Sequence, residues 1–190
     1  MRSRVLRIGA AVASMALLQV PVLAQSNDAD TEDTVTEAVP PPPCSEPVYS
    51  DFDFWLGTWE VTNQDGVVQG QNTITKEEYG CLVLERWTSA NGGTGQSYNY
   101  VDPLSGKWRQ VWVSAFSNID YEGGKTEAGG IRLEGEITQR DGSQYPFVGE
   151  WIPRDDGTVL QIFHQYNPET KSWDEWFAGI YTRLEDDTGE

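Results

Sequence analysis

The chain has 190 residues, the length of one ordinary domain, and 12% of them are aromatic, Trp alone accounting for 8. That content excludes a wholly disordered chain, because each Trp or Tyr offers roughly 150–250 Å² of buriable surface. Lys and Arg number 13 against 30 Asp and Glu, a formal charge of -17; such a surface repels phosphate backbones and anionic headgroups and argues against nucleic-acid binding and lipid docking.

Residues 1–24 read as a cleavable signal peptide. Arg2, Arg4 and Arg7 form its basic end, Ile8–Leu18 its apolar run, and Val22-Leu23-Ala24 presents small residues for cleavage before Gln25. The apolar run falls short of the ~20 residues that span a bilayer, and Pro21 stands where a spanning helix would have to continue. Cleavage leaves an exported protein, periplasmic or secreted, with no membrane insertion and a still more acidic mature chain. Residues 25–47 then read as a disordered leader. Its first part is acidic, lacks aromatics and ends in the polyproline run Pro40–Pro43, so it has nothing to contribute to a core.

Cys44 and Cys81 are the only cysteines. In an exported chain such a pair reads as a disulfide. A metal pair or redox couple fits less well, since there is no CxxC and only 1 His. Closing a loop of this length is worth about 4 kcal/mol through the entropy of the unfolded chain.

From residue 48 to residue 184 the pattern is β throughout, with a 185–190 disordered tail. Ser50–Trp55 can form a short helical turn. Strands are predicted at 54–62, 67–78, 81–89, 96–102, 107–114, 118–123, 129–138, 144–153, 157–166 and 174–184. Turn sequences separate them: Gln64-Asp65-Gly66, Asn91-Gly92-Gly93, Asp102 to Gly106, Gly123-Gly124, Asp141-Gly142, Asp155-Asp156-Gly157 and Asn167 to Lys171. Asx-Gly turns between alternating runs are strong hairpin signals. About ten strands joined by short hairpins imply an all-β fold, a single antiparallel up-and-down β-barrel, since closure removes the two exposed edges. A sandwich would require longer crossover connections.

Strand alternation sorts side chains into two faces. Trp108, Gln110 and Trp112 share one face, Val83, Glu85 and Trp87 another, and Ser97 pairs with Asn99 opposite Tyr98 and Tyr100. Near the end, Trp173, Glu175, Phe177 and Tyr181 alternate with Asp174, Trp176 and Ile180. Large aromatics mixed with single polar residues suit a barrel interior that holds a small ligand. They equally suit a filled interior whose polar groups satisfy one another. The candidate ligand-binding set is Trp59, Glu85, Trp87, Ser97, Asn99, Gln110, Trp112 and Trp151. Glu85 is the distinctive member: burial between Val83 and Trp87 would raise its pKa unless Arg86, Arg109 or a hydrogen bond compensates.

Four segments carry a family resemblance: Phe52–Val61 (FDFWLGTWEV), Gly80–Trp87 (GCLVLERW), Ser97–Pro103 (SYNYVDP) and Trp108–Val113 (WRQVWV). Together, over roughly residues 44–184, they resemble the DUF1579-related exported bacterial proteins of unknown function. The Gly57-Thr58-Trp59 element looks like the opening of lipocalins and other calycins, which implies that Gly57 and Trp59 start and close the barrel. The strand count is also similar to nitrobindin-like and fatty-acid-binding barrels. A nitrobindin-like barrel would need a haem-ligating histidine, and His164 in QIFHQY is the sole candidate. A lone strand histidine is more often structural, so no cofactor or metal is expected.

Two functional readings follow. One is a binding module for a small, partly apolar molecule. The alternative is a cofactor-free isomerase, cyclase or hydrolase, with Glu85 as acid or base and Gln110 or Tyr98 polarising the substrate.

Overall fold

A computed structural model describes residues 40–184. The predicted signal peptide (1–24), the leader up to residue 39 and the tail 185–190 lie outside the described residues. The strands are β1 (Gly57–Thr62), β2 (Val68–Glu77), β3 (Leu82–Ser89), β4 (Thr94–Val101), β5 (Trp108–Ser114), β6 (Ser117–Lys125), β7 (Ile131–Gln139), β8 (Gln144–Pro153), β9 (Val159–Asn167) and β10 (Ser172–Arg183). Each pairs antiparallel with its sequence neighbours, and β1 pairs with β10. The result is the expected all-β, closed, ten-stranded up-and-down barrel, with no unpaired edge.

One expected turn is not a turn. Gly123-Gly124 lies within β6, and the chain reverses after it, where the Thr126 N–H donates to the Gly130 carbonyl. A Cβ on Gly123 would stand 2.1 Å from the Arg132 carbonyl oxygen of β7. Glycine here permits close approach of two backbones, its usual meaning inside a strand.

The two ends of the barrel differ. At one end the chain enters through short 3-10 turns, Pro47–Ser50 and Asp53–Trp55. These carry Phe52 and Trp55 into the bore, where both are fully buried. Phe52 meets Trp108 and Trp151 edge-on, with ring centroids 5.1 and 5.4 Å apart, and Trp55 meets Trp151 at 5.6 Å. The Trp59 indole donates to the Trp55 carbonyl at 2.9 Å, and the Trp108 indole to that of Val48 at 3.1 Å. Lys76 to Asp53 (2.6 Å) and Lys125 to Asp51 (3.0 Å) latch this plug to the wall. Arg183 finishes the closure: its guanidinium lies 4.2 Å over the Trp59 ring and donates to the Leu56 carbonyl at 2.9 Å.

Cys44 and Cys81 form the expected disulfide, with Cα atoms 5.2 Å apart. Cys81 sits between β2 and β3 at the same plugged end. The bond therefore ties the segment leading into the plug to the hairpin beside it.

Candidate functional site

The opposite end of the barrel is open. Its pocket has a volume of about 440 Å³. Val67, Val68 and Gln69 at the entry to β2, together with Ser89, Ala90 and Asn91 at the exit of β3, form its mouth. Trp87, Trp112, Phe163, Trp176 and Phe177 form aromatic walls, with Ile119 between them, and Glu85, Gln110, Tyr121, Gln161 and Tyr181 supply its polar lining.

Glycines make room for the walls. A Cβ on Gly95 of β4 would stand 2.2 Å from the Trp112 ring, and one on Gly70 of β2 would stand 2.7 Å from that of Trp87. Each indole thus lies across the neighbouring strand at a position where any larger residue would displace it.

The polar lining is the exposed part of a continuous hydrogen-bonded chain. Tyr121 donates to the Gln110 carbonyl, and the Gln110 amide donates to Asn99 Oδ1. Asn99 Nδ2 donates to Ser97 Oγ (3.0 Å) and to the Val83 carbonyl (2.9 Å). Ser97 donates to Glu85 Oε2 at 2.5 Å. From the other side, Asn72 Nδ2 donates to Glu85 Oε1 (2.7 Å) and to the Tyr181 oxygen (3.1 Å), and Tyr181 donates to the Gln161 carbonyl at 2.6 Å. Strand register assembles this chain: Glu85 faces Ser97, Asn99 faces Gln110, and Gln110 faces Tyr121 across adjacent strands.

Glu85 is 4% exposed. Burial pushes its carboxyl above the ordinary value, opposed by the hydrogen bonds from Ser97 and Asn72. No cation assists. Arg86 points outward to Glu77 at 3.5 Å, and Arg109 is held outside by Asp120 at 2.6 Å. Burial likewise pushes the Tyr121 and Tyr181 phenols well above their usual value, and the nearby Glu85 charge adds to the effect. Asn72 Oδ1 is buried without a partner.

The candidate residues therefore divide into three groups. Glu85, Trp87, Gln110 and Trp112 come together at the pocket. Ser97 and Asn99 are fully buried behind it and act through Glu85 and Gln110. Trp59 and Trp151 belong to the packed core of the plugged end and do not line the cavity, packing instead behind its lining residues Tyr181, Tyr121 and Phe163. Tyr98, weighed as a polarising group, is 48% exposed on the outer face. His164 alternates with the pocket-lining Phe163 and lies on the outer face opposite Val148 of β8.

Residue-by-residue reading missed Asn72, Tyr121, Gln161 and Tyr181 as members of the polar chain. A signal was present for Gln161: it stands between Val159 and Phe163 at alternating positions, a single polar residue on an apolar face, as Glu85 does. Trp176 could not be found this way. A bulge between Glu175 and Phe177 inserts it as an extra residue. It turns inward against Phe147 and Phe163, with centroids 5.6 and 6.1 Å away. The same bulge puts Trp173 and Glu175 on the face opposite Phe177 and Tyr181, correcting the shared face expected from strict alternation.

Among the described residues, no group of three or more His, Cys, Asp or Glu is placed to hold a metal ion. Comparison with protein-family models gives no match, and no curated protein matches the sequence.

Proposed function

We propose that this protein is an exported, lipocalin-like binding barrel that takes a small, partly apolar molecule into its open end, in line with its resemblance to DUF1579-related proteins. The observation that carries this reading is the asymmetry of the bore. One end is filled by Phe52, Trp55 and their partners, while the other keeps a cavity of about 440 Å³ with aromatic walls and a polar base. That volume lies within the roughly 300–1,000 Å³ of small-molecule sites, which are typically apolar clefts with a few orienting polar groups. The Cys44–Cys81 disulfide supports the exported setting.

Native mass spectrometry of protein purified from its own compartment tests the binding reading. A co-purifying mass that is lost on denaturation is expected, together with saturable uptake of the neutral probe N-phenyl-1-naphthylamine. Protein that carries nothing and leaves the probe dark would overturn it.

A second reading has one observation in its favour. Glu85 is an interior acid with a raised pKa, flanked at the same pocket by Tyr121 and Tyr181, an arrangement that can move a proton. A co-purified molecule that is converted by the wild-type protein but only held by Glu85→Gln would favour the enzyme; a molecule that both proteins release unchanged would favour the binder.

A further inference from the structure

We infer that the pocket takes an organic cation: a molecule with a flat aromatic or apolar body and one ammonium group seated at Glu85. The inference rests on the binding reading above and deepens it.

The hydrogen-bonding polarity of the pocket base carries the argument. Tyr121 and Tyr181 both line the cavity, and each has spent its only proton on a glutamine carbonyl, Tyr121 on Gln110 and Tyr181 on Gln161. What they have left for a ligand is acceptor oxygen. Glu85 accepts one hydrogen bond on each carboxylate oxygen, from Asn72 and from Ser97, and an ionised carboxylate has room for about two more. The opposing donors at the base are amide protons of Gln110 and Gln161. Among the described residues, no Lys, Arg or His lines the cavity. The base is therefore rich in acceptors and carries one uncompensated acid.

The walls point the same way. Trp87, Trp112 and Trp176 line the cavity, and a cation over the face of an indole is attracted by the ring quadrupole, more strongly where water is excluded. The formal charge of -17 raises the local concentration of cations around the whole molecule. An anionic ligand would meet Glu85 with no positive partner and is excluded by the same geometry.

The test uses three probes with one ring and three head groups: 2-naphthylmethylammonium, 2-naphthylmethanol and 2-naphthoate. Isothermal titration of the intact, disulfide-bonded protein at about pH 8 keeps the amine charged. The ammonium probe is expected to bind about tenfold or more tighter than the alcohol, the scale of a hydrogen bond to a charged group, and the naphthoate not to bind. Glu85→Gln is expected to abolish the preference for the ammonium over the alcohol. Lowering the pH should weaken ammonium binding as Glu85 gains its proton; Tyr121 and Tyr181, the other titratable groups facing it, stay protonated throughout. Equal or tighter binding of the alcohol, or a preference that survives in Glu85→Gln, would overturn the cation assignment and leave the binding reading standing. Failure of all three probes to bind would overturn both.

Discussion

Glu85 combines three properties in one carboxylate: burial, neutral hydrogen-bond donors on both oxygens, and no cationic partner among the described residues. Its raised pKa has a definite consequence for stability. As pH rises above the ordinary carboxylate range, the unfolded chain releases the Glu85 proton while the folded chain still holds it. The folded state then binds more protons than the unfolded one, so this group's contribution to stability falls with rising pH. Glu85→Gln is expected to melt higher than wild type at neutral and alkaline pH, with the difference shrinking towards zero in acid. Thermal melts of both proteins across that range check the sign. Gly95 is the second informative residue. Gly95→Ala puts a methyl group where the Trp112 ring lies, so the indole must move into the cavity. The expected cost is about 1–3 kcal/mol in urea unfolding, with weaker uptake of a neutral naphthyl probe.

The elements of the plugged end act as a unit. The 3-10 turns, the Lys76 and Lys125 latches, the Arg183 closure and the disulfide all hold one short segment in the mouth of the bore. The latches are partly exposed, and such ion pairs contribute little individually. The cross-link contributes more, because it closes a loop of 37 residues that contains the plug, β1 and β2. Replacing Cys44 and Cys81 together by serine is expected to lower unfolding free energy by up to about 4 kcal/mol, read from urea curves of the two proteins. β10 contributes at the other end through its bulge. Trp176→Ala should remove one aromatic wall at the mouth and weaken naphthyl binding with little loss of stability, because that side chain is 52% exposed; titration and melting of the same sample separate the two effects.

At the scale of the whole barrel, stability and binding occupy opposite ends. Phe52→Ala empties a site enclosed by Trp55, Trp108 and Trp151, and a loss of about 3–5 kcal/mol is expected. The pocket lining does not include Phe52. Trp151 touches both Phe52 and the pocket-lining Tyr121 and Phe163, so probe affinity measured well below the melting temperature should fall far less than stability. A matching loss of affinity would mean that the plug and the pocket are coupled through the bore.

The sequence by itself determined the strands, most of the hairpins and the disulfide partners, and sorted the side chains of β3, β4 and β5 into two faces. These are local properties: a period of two and an Asx-Gly turn are visible within a few residues. The set Glu85, Ser97, Asn99 and Gln110 was legible for this reason: Glu85 and Gln110 each stand between large apolar residues on one face, and Ser97 and Asn99 share a face of the strand between them. Tertiary structure alone decided which tryptophans face a ligand. Trp59 and Trp151 obey the same alternation as Trp87 and Trp112, yet the plug fills their end of the bore and leaves the other end open. Closure of β1 on β10 also joined Asn72 to Tyr181, residues 109 positions apart, and so completed the hydrogen-bonded chain around Glu85. Alternation reports which face a side chain takes. Depth along the bore depends on where the ends close, and no short stretch of sequence records that.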